Sequence, residues 1–319
     1  MEIFTQEFDP LPASPKYETI ILVIIQIYDI VFGGGARRAV GVRTLILFYD
    51  SPATIFTMYK SISRILHSLL LLILIGTSGS IVYYLKTAPK PPWSSLRPGL
   101  ERRVIQIYND QNQPVESLYI WRLDQNYFRM DVAYDETPKS LETWQKETNA
   151  SLVLNGGYFS IENERYFPDG LTIINGKAFG SSFDGFGGML AINEYWAELR
   201  WLVEKPYNSD EPLQAALQSF PLLVKPGGEL GFPAERENNV RARRTVIAQD
   251  RDGRILFIVA PQGYFTLHQL SVYLTESDLN LDIAVNLDGG GSTGILVANP
   301  REIISPKTLL PFVILVYAR

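Results

Sequence analysis

The residues best suited to chemistry lie near the C-terminus, in Ala284-Val285-Asn286-Leu287-Asp288-Gly289-Gly290-Gly291-Ser292-Thr293-Gly294. An apolar run delivers an asparagine and an aspartate to its end, and glycines follow at once. Glycine reaches backbone angles closed to other residues and lets N–H groups approach a ligand closely. A carboxylate beside such amides suits an oxygen-rich or phosphorylated substrate. The competing reading is a glycine-rich hairpin in which Asp288 caps its own turn. A second stretch repeats the design: Ser151-Leu152-Val153-Leu154 runs into Asn155-Gly156-Gly157-Tyr158-Phe159. Two strands ending alike suggest two loops meeting at one rim; the plain alternative is two unrelated turns. In a third stretch, Arg241-Ala242-Arg243-Arg244-Thr245, arginines enter a strand where Arg244, Val246 and Ala248 alternate onto one face. Guanidinium groups match phosphate and carboxylate with paired hydrogen bonds, although arginines at a strand end are commonly just solvated.

Other chemistries find less support. Gly289 to Gly294 satisfies G-x-G-x-x-G, but that dinucleotide fingerprint needs a helix after its glycines, and here Ile295-Leu296-Val297 reads as a strand. No phosphate-binding G-x-x-x-x-G-K-[ST] occurs. The chain has no cysteine and only two histidines, His67 and His268, which rules out thiolate catalysis and multi-histidine metal sites. His268 lies on a helix expected over Leu267–Glu276 and makes a weak triad base. The net charge of −5 without a basic block gives no support for nucleic acid as a partner.

The elements that must position these residues follow from hydrophobic patterning. From about residue 100 the chain alternates short strands and turns. Val104–Tyr108 and Ser117–Leu123 form one hairpin, Thr245–Ala248 and Ile255–Val259 another, and Asn175-Gly176 marks a tight turn. Helices are expected at Leu141–Asn149, at Pro212–Ser219, and at Leu267–Glu276 with Thr266 as N-cap. No regular βαβ alternation appears. The fold class is therefore α+β, a strand-rich domain with a mixed sheet and inserted helices over residues 100–319.

Before this domain the sequence is organised for a membrane. Residues 1–64 read as an extension, polar and proline-bearing at first. An apolar run over Ile20–Phe32 could be an interfacial helix or could pair as a strand with Thr44–Tyr49. Ile65–Leu85 is about 21 residues without a charge, the length of one membrane-spanning or signal-anchor helix. Residues 86–99, rich in proline and lysine, form a spacer. Met58 followed by Lys60 and Arg64 has the form of a signal-anchor start. Flanking basic residues vote weakly for a cytoplasmic C-terminal part, but long domains translocate regardless of charge.

Taken in order, Asn155-Gly156-Gly157-Tyr158-Phe159, Gly170 to Gly176, Gln218 to Leu223, Arg244 to Ile247, Phe265 to Leu270 and Asn286 to Ser292 resemble the phosphodiester glycosidase family, whose bacterial relatives are often labelled exopolysaccharide biosynthesis proteins. The resemblance covers roughly residues 100–319. It implies an extracytoplasmic domain, periplasmic or at the cell surface (secreted if the anchor is cleaved), that splits a sugar from a phosphodiester at its anomeric carbon. It carries Asp288 and Arg244 over as catalytic positions. Asn155, Gly156, Gly157, Gln218, Arg243, Asn286, Gly289, Gly290 and Ser292 are carried over as shaping the substrate pocket. A second carboxylate would come from Glu164, Asp169, Asp184 or Glu237. No cofactor is called for, and a divalent cation is left open. Ala260 to Gly263 and the arginines before Arg244 depart from the family pattern, which bears on substrate choice. The alternative function is a non-catalytic envelope module binding anionic polysaccharide.

Overall fold

The computed structural model describes residues 92–182 and 187–319 fully, together with the backbone of three strands nearer the N-terminus. The chain forms two units, Met1–Pro89 and Lys90–Arg319. In the first, Ile21–Tyr28 pairs antiparallel with Val42–Tyr49 over eight residues, and Ile3–Gln6 pairs with the other edge of Ile21–Tyr28. The strand reading of the run after Ile20 is thus the one adopted. Ile65–Leu85, His67, Met58 and Asp184 lie outside the described residues. Among the described residues no helix is long and apolar enough to cross a membrane.

The second unit is built from three larger sheets and a two-stranded one, the hairpin Phe159–Glu162/Arg165–Pro168. An eight-stranded sheet carries, side by side, Leu222–Lys225, Leu281–Asn286, Arg244–Asp250, Ile255–Ala260, Pro114–Leu123 and Leu100–Tyr108, with Glu229–Leu230 and Ser94–Arg97 at its edges. A five-stranded sheet orders Glu302–Ile304, Ile295–Val297, Leu152–Asn155, Leu310–Ala318 and Phe128–Lys139. A second five-stranded sheet orders Lys177–Phe179, Thr172–Ile174, Ala215–Ser219, Gly188–Ile192 and Ala197–Trp201. Only two α-helices occur among the described residues, Leu141–Thr148 and Leu267–Glu276.

Three expectations change. The sheets are not mixed: every strand pairing in this unit is antiparallel, because the two helical crossovers, Leu141–Thr148 and Leu267–Glu276, each join strands of one sheet that have an antiparallel strand inserted between them. The region Pro212–Ser219 is not a helix. Ala215–Ser219 is a strand, buried along its whole length between Thr172–Ile174 and Gly188–Ile192. Its Ala and Leu residues favour a helix locally, but small residues pack equally well at the centre of a sheet, and tertiary context overrides propensity. The spacer also ends earlier than expected, since Ser94–Arg97 joins the large sheet beside Leu100–Tyr108.

Burial follows the strand period. Trp121, Phe257, Ile247 and Val285 of the large sheet meet Leu154, Ile295, Phe312 and Ile314 of one smaller sheet and Leu190, Leu199 and Leu217 of the other, in one core shared by all three. The outer face of the large sheet is covered by Leu267–Glu276, whose Leu270 and Leu274 pack on Val246, Ile258 and Leu118. That helix starts as expected: the Thr266 hydroxyl accepts from Gln269 N–H while the Gln269 side chain accepts from Thr266 N–H. Leu141–Thr148 covers Val153, Leu296 and Val313 through Leu141 and Trp144. Burial of this kind, at about 25 cal/mol per Å² of apolar area, holds the strand ends that carry the site.

Candidate active site

The two glycine loops do meet. Leu152–Asn155 and Leu281–Asn286 end side by side, and the Asp288 N–H donates to the Gly156 carbonyl at 3.2 Å. Asn155 ties the loops together. Its Nδ2 donates to the Asp288 carbonyl at 2.8 Å and to the Gly156 carbonyl at 3.2 Å. Its Oδ1 accepts from the Thr245 hydroxyl at 2.8 Å and from Gly294 N–H at 3.1 Å. Asn155 is 1% exposed. Carried over as shaping the substrate pocket, it clamps both loops and the arginine strand, and all its hydrogen-bonding capacity is taken up inside the protein.

The glycines serve space and conformation more than amide donation. A Cβ on Gly156 would lie 2.5 Å from the Phe312 ring, one on Gly157 3.0 Å from the Gln218 carbonyl, and one on Gly289 2.7 Å from the Arg243 carbonyl. Gly290 has φ +57°, in the left-handed region. Its N–H donates to the Arg243 carbonyl at 2.8 Å, and the Gly289 N–H bonds the Asp288 carboxylate. The expected bed of free amides is therefore largely engaged with the loop itself. The turn reading of Asp288 holds in part, since its carboxylate is bonded within its own loop by the Gly289 N–H and the Ser292 hydroxyl.

Asp288 is partly exposed. Burial raises its carboxyl above the ordinary aspartate range, and the nearby Asp169 charge adds to this, while the Ser292 hydroxyl and Gly289 N–H pull the other way. Ser292 is itself buried, so it orients Asp288 from within the loop. Arg244 lies beside it. Val246 pairs with Asn286, so two residues along the same register Arg244 comes level with Asp288. The Arg244 side chain is 7% exposed; Nε donates to the Phe265 carbonyl at 3.4 Å and Nη2 to the Val240 carbonyl at 2.7 Å. No carboxylate among the described residues forms an ion pair with it. A buried guanidinium without a counter-anion is costly unless a ligand supplies one. Burial lowers its affinity for a proton, which the Tyr158 and Glu237 charges oppose.

Tyr158 completes the group, and sequence reasoning passed over it. Its ring stacks on Phe220 with centroids 4.6 Å apart, and its hydroxyl lies 2.7 Å from Asn286 Nδ2. Burial, with the Asp288 charge, pushes the Tyr158 hydroxyl up to about 12. The structure also sorts the candidate second carboxylates. Tyr158 and Asp169 flank the hairpin Phe159–Glu162/Arg165–Pro168, which closes on itself so that Asp169 N–H meets the Tyr158 carbonyl at 3.0 Å. That closure brings Asp169 to the site, where Asp288 feels its charge. Glu237 is taken up elsewhere: its carboxylate accepts from Asn238, Asn239 and His268 N–H groups. Burial alone would raise its carboxyl, but these bonds and the Thr266 hydroxyl hold it below the usual range. Glu164 is exposed in the hairpin turn.

The remaining expected residues are positional. Gln218 is 4% exposed, accepts from Leu171 N–H at 3.2 Å and donates to the Ser182 hydroxyl at 2.7 Å, so it props the loop opposite Gly157. Asn286 is fully buried, and its Oδ1 has no partner. Arg243 donates to the Ser305 carbonyl at 3.0 Å, with Nη1 buried and unpartnered. His268 sits at the helix start with Nδ1 2.9 Å from the Phe232 carbonyl, a bond that gives it a structural task. Among the described residues no group of three or more His, Cys, Asp or Glu side chains converges to hold a metal ion.

The antiparallel-sheet α+β domain thus sets an aspartate, a buried arginine with no carboxylate partner among the described residues, and a tyrosine on adjoining strand ends. The sequence profile of the phosphodiester glycosidase family matches residues 148–317, more than half of the chain, and the protein belongs to that family. Its fold is similar to that of the zebrafish N-acetylglucosamine-1-phosphodiester alpha-N-acetylglucosaminidase catalytic domain auto-inhibited by its pro-peptide. The TM-score is 0.57 at 18% identity, over 72% of this chain and 87% of that one. A hypothetical protein from Synechocystis aligns with a TM-score of 0.49 at 13% identity, over 73% of this chain and 64% of that one. No curated protein matches.

Proposed function

We propose that the protein is an extracytoplasmic hydrolase that splits a sugar-1-phosphodiester between the anomeric carbon and the phosphate oxygen. Arg244 carries the reading: a buried guanidinium held by two backbone carbonyls and lacking a carboxylate partner among the described residues is preset for an anion. As the C1–O bond breaks, its electron pair moves to the phosphate oxygen, and a fixed positive charge there stabilises the developing anion most. Phosphate leaves readily, so little acid assistance is needed. Asp288, one loop away, faces the anomeric centre and stabilises its oxocarbenium character or attacks it. Asp169, brought close by its hairpin, is the second carboxylate and serves the incoming water. Membrane attachment through Ile65–Leu85 and a role in envelope or exopolysaccharide metabolism complete the proposal.

The test uses the full chain with the methyl phosphodiester of N-acetylglucosamine 1-phosphate in ¹⁸O-water. Free sugar carrying the label at C1, lost in Asp288→Ala, supports the enzyme. Binding without turnover in both proteins supports a polysaccharide-binding module instead. Protease accessibility on intact cells tests the location: a domain protected until lysis would overturn the extracytoplasmic assignment.

A further inference from the structure

The hydrogen-bond arithmetic around Asn286 leaves one donor without a protein acceptor, and its position is informative. Asn286 Nδ2 lies 2.7 Å from the Tyr158 hydroxyl, 2.7 Å from the Leu287 carbonyl and 3.3 Å from the Phe220 carbonyl. Carbonyl oxygens only accept, so the amide nitrogen must face them; flipping the amide would set its oxygen against two others. Of its two hydrogens, the short contacts place one on the Leu287 carbonyl and one on Tyr158, whose oxygen is therefore an acceptor, while the Phe220 carbonyl at 3.3 Å is the weak third contact. The Tyr158 O–H must then point elsewhere, and no described residue accepts it. The ring cannot swing away, because it is stacked on Phe220 with an interplanar angle of 22° and the chain before it is wedged by Gly156 against Phe312. The hydroxyl is thus a preorganised donor with a fixed aim, in the electrostatic reach of both Asp288 and Arg244.

We propose that Tyr158 is a catalytic hydrogen-bond donor, whose O–H is directed to the phosphate oxygen that leaves the anomeric carbon, beside the Arg244 guanidinium. The inference rests on the phosphodiester-glycosidase reading and adds to it the group that meets the departing oxygen itself. Arg244 supplies charge, and Tyr158 supplies a short directional bond that strengthens as charge builds. The proton stays on the tyrosine: with the hydroxyl pushed up to about 12, a phosphate monoester is too weak a base to take it. Asn286 is the positioning residue: its N–H takes an acceptor position on the Tyr158 oxygen and leaves the O–H to find its acceptor elsewhere.

Tyr158→Phe in the full chain tests this. The ring and its stack persist while the donor is lost. The expected result is a fall in kcat on the order of 100-fold with KM changed by less than about threefold, the pattern of a bond made mainly in the transition state. A Tyr158→Phe enzyme with wild-type kcat would overturn the proposal and leave the family activity standing. Calorimetric titration with inorganic phosphate gives a readout independent of turnover. The variant is expected to bind several-fold more weakly than wild type; equal affinity overturns the proposal. A wild type that neither turns over substrate nor binds phosphate overturns both this inference and the functional reading beneath it. Should Tyr158→Phe fold poorly, 3-fluorotyrosine at position 158 reports the same contact through its ¹⁹F resonance. The resonance is expected to shift as phosphate saturates the site, and an unmoved resonance overturns the proposal.

Discussion

Replacing Asn155 by alanine tests whether the two glycine loops are held by one buried amide. The substitution removes two donated bonds, to the carbonyls of Asp288 and Gly156, and two accepted ones, from Thr245 Oγ1 and Gly294 N–H. A net bond contributes about 1 kcal/mol, and each buried group left unpaired costs about 1–3 kcal/mol. At 1% exposure water does not enter freely to replace the amide. The sum, allowing for relaxation of the loops, is a loss of roughly 3–5 kcal/mol, or a Tm lower by roughly 10 °C for a domain of this size. Asn155→Asp keeps the shape but sets a carboxylate oxygen against two carbonyl oxygens, so it is expected to be at least as damaging. Urea unfolding monitored by tryptophan fluorescence measures the stability, and kinetics at 15 °C on the surviving folded fraction measure the site. Because Asn155 acts by placing Asp288, kcat should fall more than KM rises. A stability loss below about 1 kcal/mol, or a rise in KM alone, would show that Asn155 faces the ligand and would refute the clamp.

Three further outcomes follow from the same geometry. Arg244→Gln should lower kcat/KM by on the order of 100-fold while leaving stability at pH 7 unchanged or slightly higher, since an unpaired buried charge is removed; a clear loss of stability in thermal melts would mean the guanidinium is structural. For Asp288 the folded carboxyl is raised by burial above the ordinary 3.8, so its favourable contribution is whole below that value and is lost as pH rises through the folded value. Asp288→Asn should therefore match or exceed wild-type stability at pH 7, with the gap closing near pH 3.5, while activity is lost; urea titrations at the two pH values check it, and a gap that widens on acidification contradicts it. Gly156→Ala puts a methyl 2.5 Å from the Phe312 ring and should cost about 1–3 kcal/mol through overpacking. Phe312→Leu in the same chain should recover part of that loss, and a double variant no better than the simple sum of the two would show that the strain lies elsewhere.

Much of this protein was legible wherever the physics is local. The hairpins at Val104–Leu123 and Thr245–Val259, the Asn175-Gly176 turn, and the Leu267–Glu276 helix with its Thr266 cap depend on alternation, turn chemistry and capping within a few residues. The strand after Gly294 was readable in the same way, and it disposed of the dinucleotide fingerprint. Asp288 and Arg244 were singled out by residue type and by likeness to a family. Ala215–Ser219 was misread because its local preference is helical and only its two flanking strands make it a strand.

Residue types and spacing alone determined that two apolar strands end in asparagine and glycines, that an arginine strand accompanies them, and that no cysteine, histidine cluster or nucleotide loop competes for the chemistry. The tertiary structure alone decided which polar groups face the site. Asn155 became a buried clamp because three segments far apart in sequence converge on its amide. Glu237 is engaged by N–H groups of its own loop and of His268, whereas Asp169 lies near enough for its charge to act on Asp288 because its hairpin closes beside Tyr158. Tyr158, one aromatic among many in the sequence, acquired a free donor only through contact with Asn286, 128 residues away. Such roles depend on where hydrogen-bond capacity is already satisfied, and that is settled by long-range packing.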